Sequence, residues 1–214
     1  AADRERRVHA EVHLTLAKLN YGGVLPAMEP QGESDVPSAL FHLTLAAACG
    51  SCEAALELRS LCRGLPSELF PSLAFAQEHR SRARVLTALA AWEGDRVCAL
   101  EMAEARSSEA KVEGTPGDQV EAHLRKAVGW LVRALDAQGW DADKDAEAEA
   151  SGVADHQLGS RLAELYEALG EWQAAGDAYQ AAAAAALERS KGKLSFKLSE
   201  RAEQAWGNVP DDES

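Results

Sequence analysis

The chain has 214 residues, a formal net charge of -13 and a pI near 4.9, with aromatics making up only 6%. Such a charge repels phosphate backbones and anionic lipid, so neither nucleic acid nor a membrane is an expected partner. The longest apolar run, Ala181 to Leu187, falls far short of the roughly 20 residues a membrane span needs, and four cysteines are too few for a disulfide framework and suit a reducing, cytosolic setting.

Ala, Leu and Glu dominate while β-branched residues are sparse, so helix propensity is high along nearly the whole length and strands are not expected. The first residue is Ala rather than Met and Asp3 to Asn20 already read as mid-helix, from which a piece of a longer polypeptide is expected. A first helix is predicted from about Asp3 to Tyr21, with Val8, Val12, Leu16 and Leu19 as its buried stripe and Gly22-Gly23 as its stop. A Pro-bearing loop follows from Gly23 to Pro37. Ala39, Leu43, Ala46 and Ala47 then share one face of a second helix that closes near Gly50. Ala54, Ala55, Leu58 and Leu61 repeat the pattern in a third, closed near Gly64.

Ala91-Trp92-Glu93-Gly94 leading to Ala99, Leu100 and Met102 echoes Ala47-Ala48-Cys49-Gly50 leading to Ala55, Leu56 and Leu58. The two glycines stand at a spacing typical of stacked helical pairs, each burying its apolar face against a neighbour, so the expected fold is an all-α solenoid of antiparallel helix pairs. Ser107 to Gly117 reads as a flexible break. After it, Gln119 to Gln138 is a helix whose Leu124, Ala127, Val128, Leu131, Ala134 and Leu135 face inward, and Asp141 to Gly152 reads as a solvated acidic loop or frayed helix. Three more helices follow, over about Ala154 to Leu169, Trp172 to Ser190 and Gly192 to Trp206. The expected organisation is N-terminal repeats over 1–106, the break over 107–117, C-terminal repeats with a terminal amphipathic helix over 118–206, and an acidic tail over 207–214.

Candidate chemistry is thin. Cys49-Gly50-Ser51-Cys52 is a CxxC without the strand-to-helix setting that activates a redox thiol or the second pair that completes a zinc site, so it reads as two ordinary cysteines at a turn; Cys62 and Cys98 read as core. His9 and His13 lie one turn apart without a third ligand, and the solvated-face reading is preferred to a metal site. Asp141, Asp143 and Asp145 imitate the start of a calcium loop, but Ala146 and Gly152 occupy the positions that need glycine and a bidentate carboxylate. Phosphate-binding loops, nucleophile elbows and kinase catalytic motifs are absent, so no catalytic, cofactor or metal residues are assigned.

The last helix carries the most information. Arg189, Lys193, Lys197 and Arg201 recur every four residues as a basic ridge beside Leu194, Leu198, Ala202, Ala205 and Trp206. Two readings stay open: cations complementing the helix dipole and pairing with the acidic array, or a docking surface.

Ser38-Ala39-Leu40-Phe41-His42-Leu43, Ala46-Ala47, Gly50 and Glu53-Ala54 resemble the SEL1-like repeats of the elongation factor 2 kinase family. Asp177, Tyr179, Gln180-Ala181-Ala182, Lys191-Gly192-Lys193-Leu194 and Ala202-Glu203-Gln204-Ala205-Trp206 are similar to that family's final helices, and Tyr21-Gly22-Gly23 and Leu65-Pro66 also match. The resemblance implies the helical C-terminal region of an alpha-type, calmodulin-dependent serine/threonine kinase that phosphorylates elongation factor 2 and slows translation. It implies docking on an upstream kinase domain and recruitment of elongation factor 2 through Ala202, Glu203, Ala205 and Trp206. ATP, magnesium and calcium-calmodulin would act through regions upstream, with no cofactor in this chain. The competing expectation is a free-standing SEL1-like or TPR-like adaptor; an enzyme active in isolation is disfavoured because no titratable pair has the spacing acid-base or nucleophilic work needs.

Overall fold

The computed structural model describes residues 2–22, 35–71, 79–137 and 149–210. Among these residues there are nine helices and no strand: α1 (Ala2–Gly22), α2 (Val36–Ala48), α3 (Cys52–Cys62), α4 (Arg80–Trp92), α5 (Arg96–Ala110), α6 (Gly117–Asp136), α7 (Asp155–Leu169), α8 (Trp172–Glu188) and α9 (Gly192–Trp206). The all-α, helical-repeat expectation holds. The chain divides into two compact units, Ala1–Asp95 and Arg96–Ser214.

Within the first unit α1 packs on α2, α2 on α3 and α3 on α4. Asp35 starts α2: its Oδ1 accepts from the Ser38 backbone N–H at 3.1 Å and its Oδ2 from the Ser38 hydroxyl at 2.7 Å, which holds its carboxyl below the usual range. Ser51 caps α3 by accepting from Ala54 N–H at 3.2 Å. Buried Glu57 accepts from the Ser67 hydroxyl, pinning the stretch after α3.

Ala39, Leu43, Ala46 and Ala47 on α2, and Ala54, Ala55, Leu58 and Leu61 on α3, are all buried as the periodicity predicts. The stripe expected on α1 is not. Ala10 and Ala17 are the buried positions, while Val8 and Val12 are 49% and 50% exposed and Leu16 and Leu19 only half-buried. The line of small side chains lets α1 approach α2 closely, and that close approach wins over the bulkier row.

The second unit is a run of sequential pairs, α5 on α6, α6 on α7, α7 on α8 and α8 on α9. Leu124, Ala127, Leu131 and Ala134 line the buried side of α6, with Val128 and Leu135 half-buried beside them. Helix α5 runs through Ser107, Ser108 and Glu109 to Ala110, so the non-helical stretch is only 111–116, and the compact units meet at Asp95 and Arg96 rather than within 107–117. Serine and glutamate tolerate a helix interior, and the buried Ala110 holds the last turn down. The acidic segment 141–148, with its calcium-like aspartates, lies outside the described residues, as do 211–214 of the tail.

The same turn recurs between helices. Gly50 (φ +93°) donates to Ala47 O while Ser51 N–H reaches Ala46 O at 3.0 Å, and Gly94 (φ +102°) and Asp95 repeat it onto Ala91 and Ala90. This pair of bonds closes a helix C-terminus and requires a left-handed residue, which explains the shared register of the two glycines. Between α8 and α9 the same position is Ser190, the one non-glycine at positive φ (+58°) among the described residues, with Lys191 N–H on Ala186 O at 2.9 Å. A Cβ in this conformation costs about 1 kcal/mol. Replacing Ser190 with Gly is therefore expected to raise stability by about 0.5–1 kcal/mol, measured as a shift of the urea unfolding midpoint at unchanged slope; a fall in stability would contradict this account of the turn.

Candidate functional site

The site is built on α9. Leu198, Ala202 and Ala205 are buried in a cluster with Ala163 of α7 and Ala175, Tyr179, Ala182, Ala183 and Ala186 of α8, with Leu194 and Trp206 packed at its edge. Alanines on both helices bring the backbones close, and an indole then fits only where the facing residue has no side chain. That residue is Gly176: a Cβ there would lie 2.2 Å from the Trp206 Nε1 and 2.4 Å from its Cδ1. The indole N–H donates to Asp177 Oδ1 at 3.2 Å, and the same oxygen accepts from Gln173 at 3.1 Å. Trp206 is thus turned inward and fastens the end of α9 to α8.

Of the residues expected to recruit a partner, Ala202 and Ala205 are 0% and 1% exposed, Trp206 is half-buried, and only Glu203 is exposed. Ala202 and Ala205 are committed to packing, and Trp206 turns its Nε1 edge onto α8 while keeping part of its surface exposed. The expected basic ridge also divides. Arg201 bonds Glu167 at 2.9 Å and Glu164 at 3.3 Å, and its guanidinium lies 4.4 Å from the centre of the Tyr179 ring. Arg189, which caps α8 rather than belonging to α9, sits 3.7 Å from Glu149. Lys193 and Lys197 are exposed and make no ion pair among the described residues. Pairing with the acidic array thus holds for Arg201 and Arg189, whereas Lys193 and Lys197 stay on the exposed side.

Phe196 is the residue the periodicity missed. It stands 65% exposed on the outward side of α9, beside Lys193 and Lys197, with Glu200 and Glu203 exposed on the same helix. The available signal was its phase: Leu194 and Leu198 fall on the inward stripe, whereas Phe196 between them points the opposite way.

At the other end of α9 a cleft of about 550 Å³ opens between α7 and α9, lined by Glu149, His156, Arg161, Glu164, Lys191 and Leu194 among others. Lys191 and Glu149 are hydrogen-bonded, which lowers the Glu149 carboxyl, and His156 Nε2 lies 3.5 Å from both partners. Burial depresses the His156 imidazole, keeping it toward its neutral form. Other charges lining this cleft are matched within the chain, Arg161 by Glu104 at 2.6 Å and Glu164 by Arg201 at 3.3 Å.

Elsewhere Cys49 and Cys52 sit at the α2–α3 turn, and Cys52 is pushed up to about 12 by burial and then by Asp95 and Glu93, the reverse of what redox exchange needs. His13 pairs with His42 of α2, Nδ1 to Nδ1 at 3.0 Å, rather than with His9. Among the described residues, no group of three His, Cys, Asp or Glu could hold a metal ion, and no helix is long and apolar enough to cross a membrane.

The described residues form an all-α helical-repeat array whose helix α9 is packed on one face and exposes charged and aromatic side chains on the other. No family model matches the chain. It is 30% identical over 223 residues to the eukaryotic elongation factor 2 kinase of Homo sapiens, covering 98% of this chain and 29% of the relative. The same identity holds over 214 residues to that of Rattus norvegicus, covering 95% and 28%, and 28% over 201 residues to that of Caenorhabditis elegans. The chain is a relative of one region of the eukaryotic elongation factor 2 kinases and spans less than a third of their length.

The seating of Trp206 gives a sharp prediction. Alanine normally exceeds glycine in a helix by about 1 kcal/mol, and Gly129, on the exposed side of α6 with nothing within 4 Å of its would-be Cβ, should follow that rule. Gly176→Ala must instead expel the indole and destabilise by about 1–3 kcal/mol. Thermal melts of the two variants should shift in opposite directions; a stabilised Gly176→Ala would contradict the lock.

Proposed function

We propose that the chain is a non-catalytic docking and regulatory module of a calmodulin-dependent elongation factor 2 kinase, which recruits elongation factor 2 for phosphorylation and so slows translation elongation in the cytoplasm. Catalysis, ATP, magnesium and calmodulin would belong to the parent polypeptide outside this chain, with the kinase domain as a second docking partner. The observation that carries the reading is the division of α9: an inward face locked by Trp206, Ala202, Ala205 and Arg201, and an outward face presenting Phe196 with Lys193, Lys197 and Glu203. It is supported by identity to elongation factor 2 kinases over nearly the whole chain.

In this reading Trp206 is a positioning residue and Phe196 the contacting anchor. Aromatic side chains supply most of the energy at such surfaces, while exposed lysines add steering that salt screens. The test is the affinity of the chain for purified elongation factor 2 at low and high salt. Phe196→Ala is expected to weaken binding about tenfold without lowering the melting temperature. Trp206→Ala should weaken it with loss of α9 helicity, and Lys193→Glu with Lys197→Glu should abolish the salt dependence. No binding by the well-folded chain would refute the docking role.

A further inference from the structure

A second cleft, of about 390 Å³, opens where α5, α6 and α7 meet and lies wholly within the second unit. A volume of this size suits a small ligand or the end of a peptide. Leu124 and Leu131 of α6 and Leu165 of α7 form its apolar side. Helix α5 contributes a single row, Leu100, Ala103, Ser107 and Lys111, at the three- and four-residue spacing of one helix face. The row changes character along its length. Leu100 and Ala103 are buried, but Ser107, Ser108 and Lys111 put two hydroxyls and an ammonium on the same cleft. Helix propensity accounts for α5 continuing through these residues but not for polar groups on this face, where apolar side chains would bury more area.

The charges of the cleft point the same way. Glu104 is held by Arg161 at 2.6 Å, and Glu164 by Arg201 of α9 at 3.3 Å, so these lining charges are matched within the chain. Lys111 makes no ion pair among the described residues, and the hydroxyls of Ser107 and Ser108, one turn before it, make no hydrogen bond among them. Three donors at one end of an apolar cleft suit a negatively charged acceptor, and a carboxylate can take a bond from each while neutralising the ammonium. The apolar side then lies where a group attached to that carboxylate would rest.

We propose that this cleft binds the C-terminal residue of a partner polypeptide. Its free carboxylate sits on Lys111, Ser107 and Ser108, and its aliphatic or aromatic side chain lies against Leu124 and Leu165. An aspartate or glutamate side chain brings a carboxylate without a large apolar group beside it, whereas a C-terminal residue carries both on one Cα. The cleft is open along one side, which lets the rest of the partner chain leave into solvent. The site is separate from the outward face of α9 and does not rest on the docking reading given there.

The test is a titration of the intact, isotopically labelled chain, followed by amide chemical shifts. The probes are short peptides acetylated at the N-terminus and ending in leucine, isoleucine or phenylalanine, each made with a free carboxylate and as the carboxamide. At least one free acid is expected to give saturable shifts around Ser107, Ser108, Lys111 and Leu165, and its carboxamide to bind about tenfold more weakly. Lys111→Ala should weaken the acid about tenfold and leave the carboxamide unchanged, a split that loss of a merely structural contact would not give. Ala168→Glu, which sets a like charge on the lining, should weaken the acid more than the carboxamide. Both positions are exposed, so helical circular dichroism should be retained. No saturable shift with any acid, equal binding of acid and carboxamide, or binding indifferent to Lys111 would overturn the proposal. So would octanoate binding at the same residues more tightly than every peptide, which would make the occupant a free aliphatic acid.

Discussion

Close approach of helices through alanine is the constraint on which the rest of the structure depends. Alanine supplies more than half of the buried apolar side chains among the described residues. Buried alanines such as Ala46 and Ala54, or Ala182 facing Gly159, allow backbones to come near without long side chains to interlock them. Each alanine buries little area, so an interface of this kind gains less from the hydrophobic effect than a leucine-rich one and is more easily unseated. Stability then falls on a few larger groups that lock each helix in register: Tyr179 in the middle of the last cluster, Trp206 against Gly176, and Arg201 between two carboxylates and the Tyr179 ring.

That arrangement explains why the conspicuous residues of the last helix point inward. Helix α9 packs chiefly on α8, reaches α7 through Arg201, and leaves its other side exposed. Trp206, the residue that looks most like an interface anchor in sequence, is needed for the lock. The large or charged groups of α9 that stay exposed are Phe196, Lys193 and Lys197, with Glu203 beside them. Loss of function on changing Trp206 would thus report loss of position, and a surface variant is needed to report contact.

Much of the fold was legible in the sequence because period and turn chemistry agreed. The stripes of α2 and α3 emerge with their residues as read, that of α6 does so with Val128 and Leu135 at its half-buried margin, and the shared register of Gly50 and Gly94 is a repeated left-handed turn. The exceptions have physical reasons. On α1 a line of small residues, Ala10 and Ala17, took the buried side from the bulkier Val8 and Val12, which a hydrophobicity count cannot rank. Around Ser107 the composition suggested a break, yet serine and glutamate carry α5 to Ala110. The site was half legible: the basic ridge and the apolar stripe of α9 were visible, but not that Arg201 and Arg189 are taken up by carboxylates of other segments or that Gly176 makes room for Trp206. Those contacts join residues about thirty positions apart or more, beyond the reach of local periodicity.

The central claim is that Trp206, seated against Gly176, is needed to hold α9 on α8. Amide hydrogen exchange on the intact chain and on Trp206→Ala tests it most directly. The account predicts that protection falls through Gly192–Trp206 while α7 and the body of α8 keep theirs, because without the indole the C-terminal turns of α9 keep only Ala202, Ala205 and the partly exposed contacts of Arg201, with Leu194 and Leu198 further back. Unchanged protection of α9, or a uniform loss across α5 to α9, would contradict it.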